Sequence, residues 1–295
     1  MRLLTRRSIL KGLLGSAFGL VGGYALAVEP GFRLRLQPYA LTPPGWTPGL
    51  RLRIGVIADV HAGEPYMSLS LSRIEHIVAA TNALQADLVV LLGDYVASRG
   101  VRTRHVPPND WTRALSRLEA PLGVHAILGN ADWWDDAVTC RRALGQANIP
   151  ILENDAVRLV HNGQGFWLAG LGDQISYIED GEDERPVADL DATLAALRTD
   201  EPAILLAHEP KIFADLTDRF ALTLSGHTHG GQVRLFGWSP ISADSYGNRY
   251  AYGHVVENGR HLIVSGGLGL SKLPVRLGVP PEIVLIELGT DEGAA

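Results

Sequence analysis

Cysteine is nearly missing from this chain: Cys140 is the only one in 295 residues, so no disulfide can form within it. No base lies beside it in sequence, and the thiol reads as a small buried hydrophobe rather than a nucleophile. No segment repeats at a fixed period, and no low-complexity block occurs. The chain is therefore read as one large domain, or as a domain with a tail, and 46% hydrophobic residues suffice for a full core. Acidic residues are absent from residues 1–27, which carry Arg2, Arg6, Arg7 and Lys11. Without that segment 22 basic residues face 32 acidic ones, and so acidic a body excludes non-specific nucleic-acid binding. A small phosphorylated substrate is still allowed, because bound metal ions would reverse the local field.

What is present starts with a basic stretch, Thr5-Arg6-Arg7-Ser8-Ile9-Leu10-Lys11, followed by an apolar run from Gly12 to Val28 with five glycines. With the small-residue site Ala25-Leu26-Ala27, these are the parts of an export signal, and the paired arginines point to the twin-arginine route and its export machinery. The run is short for a transmembrane span, so cleavage after Ala27 and retention as an N-terminal membrane anchor both stay open. The expected location is the periplasm, either free or anchored facing it. Residues 28–49, with Pro38, Pro43, Pro44 and Pro48, read as a linker with an edge strand near Phe32 to Leu36.

The body, residues 50–290, is organised around Leu88-Val89-Val90-Leu91-Leu92-Gly93-Asp94. Five consecutive apolar residues read as a parallel strand buried on both faces, and Gly93 lets the chain turn so that Asp94 stands at its carboxyl end. Other strands end alike: Ile54 to Ala58 in Asp59-Val60-His61, Val124 to Leu128 in Gly129-Asn130, Ala203 to Ala207 in His208, and Ala221 to Leu224 in Ser225-Gly226-His227-Thr228-His229. Seven oxygen or imidazole donors thus reach one edge of one predicted sheet, the signature of a metal centre. Helices are expected over Leu69–Leu84, Asn109–Leu118 and Ala131–Ala147. From Ile149 short strands take over at Val157–Val160, Gly165–Leu171, Gly231–Leu235, Ala251–Val256, His261–Val264 and Ile283–Leu288, around a polar loop from Ile178 to Asp189. Parallel βα units followed by a strand-rich half suggest two sheets face to face with helices outside. Residues 291–295 read as a tail.

Taken in order, D-x-H at Asp59 and His61, G-D at Gly93-Asp94, G-N at Gly129-Asn130, His208, and G-H-T-H from Gly226 to His229 resemble the calcineurin-like metallophosphoesterase superfamily. The likeness is greatest to its bacterial, often twin-arginine-exported branch, which also holds UDP-2,3-diacylglucosamine hydrolases of lipid A synthesis. It covers about Leu50 to Leu288 and includes Gly266 to Gly269, Leu273 to Arg276 and Pro280 to Ile283. The resemblance implies an α/β fold, a four-layer α-β-β-α sandwich. It implies two divalent metal ions, with Asp59, His61 and His229 holding one, Asn130, His208 and His227 the other, and Asp94 bridging them. Mixed carboxylate and imidazole donors suit Mn, Fe, Zn or Ni rather than Ca, and Mn is favoured. The implied reaction is hydrolysis of a phosphodiester or diphosphate bond in a small phosphorylated or lipid-linked substrate, by a hydroxide that the metals activate. Asp94, Asn130 and Asp132 are then the expected catalytic residues.

One departure from the family pattern stands out. The family reads G-N-H followed by an acid, whereas this chain reads Gly129-Asn130-Ala131-Asp132. The missing histidine normally protonates the leaving group, so Ala131 removes a general acid worth about a hundredfold to ten-thousandfold in rate. His105, in the basic loop with Arg99, Arg102 and Arg104, is a weak substitute. Two rival readings follow. One is a UDP-2,3-diacylglucosamine hydrolase, which export disfavours because that nucleotide lipid is cytoplasmic. The other is a metal-binding pseudoenzyme or envelope scaffold. Trp133-Trp134 read as core first and as a pocket wall second, while Asp173 and Gln232 are expected to shape the pocket. Fractionation of cells making the intact chain tests the export reading: envelope or periplasmic protein is expected, and a purely cytoplasmic location would remove the objection to the glycolipid hydrolase.

Overall fold

The computed structural model describes residues 6–64, 69–97, 104–180, 183–240, 247–271 and 273–290. In chain order the first half comprises α1 (Arg6–Gly23), a π-helical turn (Tyr24–Val28), α2 (Glu29–Phe32), β1 (Arg35–Leu41), β2 (Leu52–Ile57), β3 (Gly63–Glu64), α3 (Leu71–Asn82), β4 (Leu88–Leu91), β5 (Arg104–His105), α4 (Pro108–Leu115), β6 (Val124–Ala126) and α5 (Asn130–Gln146). The second half adds β7 (Asp155–His161), β8 (Gln164–Gly170), β9 (Tyr177–Asp180), β10 (Asp183–Pro186), α6 (Leu190–Ala195), β11 (Ala203–Leu206), a 3-10 turn (Pro210–Ala214), β12 (Leu222–Ser225), a second 3-10 turn (His229–Gly231), β13 (Gly253–Glu257), β14 (Arg260–Val264) and β15 (Glu282–Leu288).

Two sheets, not one, carry the strand ends singled out above. The first has the order β1-β15-β2-β4-β6 and the second β13-β14-β12-β11-β8-β7. β2, β4 and β6 run parallel in the first, as do β8, β11, β12 and β14 in the second. In each sheet these neighbours therefore bring their carboxyl ends to one edge.

The central strand shows why the layers stack. Side chains alternate between faces along a strand. Val89 and Leu91 point into a core shared with Ile74, Ile77 and Val78 of α3, Trp111 and Leu115 of α4, and Cys140 and Leu144 of α5. Leu88, Val90 and Leu92 point the other way, against Phe166, Leu168, Ile204, Leu206, Leu222 and Leu224 of the second sheet. The outer face of that sheet is covered by Leu190 and Leu194 of α6 and Phe213 of the 3-10 turn. The α-β-β-α stacking is therefore present, with a thin fourth layer. Cys140 is buried, as its setting in sequence suggested.

The helices begin where the sequence supplies caps. Ser70 accepts the Arg73 amide at 3.4 Å, and the buried residues Ile74, Ile77, Val78 and Thr81 follow at helical spacing. Pro108 opens α4 with its fixed backbone angle and no amide left to satisfy.

Three expectations shift. The edge strand lies at Arg35–Leu41, paired in parallel with β15. The stretch Gly231–Leu235 forms no strand. His229–Gly231 is a 3-10 turn, after which only isolated bridges join Val233 to Leu277 and Leu235 to Trp238, because Gln232 at φ +58° turns the chain away. The polar loop from Ile178 contains the hairpin β9–β10. The N-terminal segment is helical, and its far end is tied down: Ala25 and Glu29 are buried, and the Arg276 amide donates to the Ala25 carbonyl at 3.0 Å. No described helix is long and apolar enough to cross a membrane.

Leu222, fully buried between the sheets, measures how far the fold depends on that middle core. Leu222→Ala is expected to lower stability by about 2–5 kcal/mol in urea unfolding. Val160→Ala, on a half-exposed strand position, should stay within about 0.5 kcal/mol.

Candidate metal centre

Asp59, His61, Asp94, His227 and His229 all have φ between +44° and +66°. Left-handed backbone costs a non-glycine residue about 1–3 kcal/mol, so five such residues at converging strand ends need neighbours that hold them there. Main-chain bonds do so. The Asp59 amide donates to the Gly93 carbonyl at 3.1 Å, His61 to Asp94 at 2.9 Å, Gly226 to His208 at 3.1 Å and Gly269 to Asp59 at 2.7 Å. The β-ladders thus continue sideways past the strands as a web of loops. Glycine is required at two of its knots. Gly93 sits at φ +89°, where a Cβ would run into the backbone of Gly129, and a Cβ on Gly129 would come within 2.5 Å of an Asp94 oxygen.

Asp132 holds this web from below. Its Oδ2 accepts the amides of Asp94 at 2.8 Å and Gly129 at 3.0 Å, and its Oδ1 those of Tyr95 at 2.8 Å and Val96 at 3.2 Å. The side chain is fully buried with both oxygens occupied, so its place is beneath the Asp94 loop rather than in the cleft. The geometry makes Asp132 a positioning residue where a catalytic one was expected. Through the Gly129 amide it also caps the start of α5, the one half of a capping box that a glycine N-cap permits.

Above it the donor atoms converge. Asp94 lies between two imidazoles, its Oδ2 3.5 Å from His61 Nε2 and its Oδ1 3.4 Å from His208 Nε2. His61 Nε2 is 3.1 Å from His229 Nε2, which is 3.8 Å from Asp59 Oδ1. His227 Nδ1 lies 2.9 Å from the Asn130 side-chain oxygen. Each of the sets Asp59–His61–His229 and Asp59–Asp94–His208 gathers its ligand atoms within 4.8 Å. All seven sequence-derived ligand candidates therefore meet in one cluster, reached from both sheets.

Divalent ions fit this donor set. His61 Nδ1 lies 2.9 Å from the Val96 carbonyl and His208 Nδ1 2.6 Å from that of Leu92, so each ring donates its proton backwards and turns Nε2 toward the cluster. Asp59 Oδ2 is buried without a hydrogen-bond partner, and His208 Nε2 faces the Asp94 carboxylate at 3.4 Å. Charge follows the same plan. Burial pushes the Asp59 carboxyl up to about 6, against the pull of His208. Asp94 is as deeply buried, yet the charge and hydrogen bond of His208, with His61 and His227, outweigh burial and hold it below the usual range. Burial, with His61 and Arg276 beside it, pushes His229 down to the neutral form that can donate a lone pair.

Sequence reasoning missed two residues. Arg276 is fully buried, with Nη2 3.3 Å from His229 Nδ1 and bonds to the carbonyls of Gly269 and Val279. It stood in the quoted tail, yet nothing local marks an arginine as buried beside a metal site. Glu209 joins His208 and His227 in a third donor group, and burial, with Asp173 next to it, pushes its pKa well up. Its only mark in the sequence is its place right after the ligand candidate His208, in Ala207-His208-Glu209-Pro210. Gln232 straps a distant loop, donating to the Leu273 and Val275 carbonyls and accepting from the Ser271 amide. Trp133 packs on the first core with Arg141 over its ring, while Trp134 is half exposed. Arg99 and Arg102 lie outside the described residues. Arg104 and His105 form β5, and their side chains are likewise outside them.

The pattern of the Calcineurin-like phosphoesterase family matches residues 52–231. A Bacillus subtilis chain named as the uncharacterized metallophosphoesterase YkuE is 30% identical over 98% of this chain and 99% of its own length. A metallophosphoesterase of Aquifex aeolicus is 27% identical over 91% of this chain and 96% of its own. The solved NAD nucleotidase of Haemophilus influenzae superposes with a TM-score of 0.50 at 15% identity, covering 75% of this chain. That likeness is one of fold, and this chain spans 46% of the nucleotidase's length.

Removing the Asp132 charge tests the support beneath Asp94. Asp132→Asn is expected to weaken Mn binding by about tenfold to a hundredfold in equilibrium dialysis, the usual effect of losing a residue that orients a metal ligand.

Proposed function

The chain belongs to the calcineurin-like phosphoesterase family, and we propose that it hydrolyses a phosphodiester or diphosphate bond at a dinuclear metal centre. One observation carries this reading: the Asp94 carboxylate presents one oxygen to His61 and the other to His208, at 3.5 and 3.4 Å, as a bridge between two ions requires. In our reading Asp59, His61 and His229 hold one ion and Asn130, His208 and His227 the other. When bound, such a pair supplies Lewis acidity, lowering the pKa of water and neutralising phosphoryl oxygens.

The residues of the chain do the rest. His227 is the most exposed of the seven, and with Asn130 it marks the mouth where a phosphoryl group enters. Asp132 and the Leu92 and Val96 carbonyls keep the ligands aimed, so little reorganisation accompanies the reaction. Ala131 brings no proton to the leaving group, and its amide instead donates to Asp94 Oδ1 at 2.7 Å. A leaving group of low pKa, such as a nucleoside phosphate released from a diphosphate, suits a site built this way. The N-terminal segment supports work in the cell envelope. The scaffold reading rests on Ala131 alone and is decided by the same assay.

Bis(4-nitrophenyl) phosphate, whose leaving group needs no acid, is the first substrate to test. The Mn-loaded protein is expected to turn it over, and Asp94→Asn to lower kcat by about a thousandfold. Full metal occupancy with no turnover would favour the scaffold. Ala131→His should leave that rate near its starting value and raise hydrolysis of a diester with an alkyl leaving group by about a hundredfold.

A further inference from the structure

Apolar side chains stand uncovered on the stretch that follows the His229–Gly231 turn. At the tip of a tight turn, Phe236 is 108% exposed, flanked by Leu235 and Trp238 at 49% and 59%. Leu235 and Trp238 pair through both main-chain bonds, and the two residues between them, Phe236 and Gly237, have φ of +50° and +81°. Such a turn favours Asn-Gly, so a phenylalanine there accepts backbone strain without packing on any described residue. Leu273, on the loop strapped by Gln232, adds another half-exposed leucine.

This turn is continuous with the end of the N-terminal helical segment. Arg234 donates to the Leu277 carbonyl at 2.7 Å, and its neighbour Arg276 donates to the Ala25 carbonyl at 3.0 Å. Every described side chain from Gly15 to Val21 of α1 is exposed, with Phe18 and Leu20 above 75%, and Leu26 and Phe32 continue the apolar surface. A protein partner needs one apolar stripe along a helix, whereas α1 has no charged or polar face from Gly15 to Gly23. Lipid covers all sides alike. Arg7 before the run and Arg33 after it are exposed and supply cations that anionic headgroups attract.

We propose that the Leu235–Trp238 turn docks on a lipid bilayer beside α1, with Phe236 and Trp238 in the interface, so that the metal cleft faces the headgroup layer. Arg276 joins the two ends of this arrangement, since it bonds to Ala25 through its amide and reaches His229 through its guanidinium. Tryptophan and phenylalanine suit that boundary because their rings bury apolar area at a wet edge. The docking does not depend on turnover, and it confines the substrate to a phosphoester presented at a membrane surface.

The test uses the full chain with phosphatidylethanolamine–phosphatidylglycerol vesicles, with and without acyl chains brominated to quench tryptophan. The wild type is expected to co-sediment and to lose fluorescence on brominated vesicles. In Trp238→Phe binding should persist while most of that quenching disappears. Phe236→Asp with Trp238→Asp should weaken partitioning by tenfold or more, with the thermal midpoint moved by no more than a few degrees because both side chains are exposed. Wild type that stays in the supernatant, or quenching unchanged in Trp238→Phe, would overturn the proposal. A change in oligomeric state by sedimentation velocity without a change in vesicle binding would overturn it too, in favour of a second copy on this face.

Discussion

Four backbone N–H groups, from Gly129, Asp94, Tyr95 and Val96, converge on the Asp132 carboxylate. The amides come from the loops after β4 and β6, so one buried side chain ties two strand ends together. A buried carboxylate is tolerable only when its acceptor sites are filled, and here the backbone fills them. The dependence runs both ways. Among the described residues the amides have no other acceptor and the carboxylate no other donor. Asp94 owes its position between His61 and His208 to that exchange.

The stress of the site is spread over both sheets. Five ligand candidates lie in left-handed backbone, a cost that a soft scaffold would relieve by rearranging. Two apolar layers prevent it. Leu88, Val90 and Leu92 lock the first sheet onto the second, and Val89 and Leu91 lock it onto the helices. Interiors packed like crystals transmit such constraints instead of absorbing them.

Ala131 and the uncovered apolar face bear on the same substrate question from different directions. Without an acid at position 131 the chemistry favours a leaving group that departs as a stable anion. The exposed turn and helix favour a substrate met at a membrane surface. The two proposals combined would narrow the substrate to a phosphoester with an activated leaving group held in or on lipid, a smaller class than either defines alone.

Much of this was legible in the linear chain, for identifiable reasons. A buried parallel strand announces itself as an unbroken apolar run, so Leu88 to Leu92 and the strands like it stand out, and with them the ligands at their ends. Helices α3, α4 and α5 were legible to within a few residues because capping and spacing are local. The comparisons bear out the family from the same ordered motifs. The division into two sheets was not readable in the strand ends themselves, since a strand does not encode its neighbour. The strand expected at Gly231–Leu235 failed because Gln232 takes a left-handed turn that no local pattern announces. Asp132 shows the limit most clearly. As an acid after G-N-A it looked like chemistry, and only folding, by bringing amides from residues 94–96 within 3.2 Å, made it a support. The sequence by itself determined which donors stand at strand ends, because strand periodicity is local. Tertiary structure alone decided which of them face each other, which are consumed by backbone amides, and that Arg276 and Glu209 join them, because those contacts span tens to hundreds of residues.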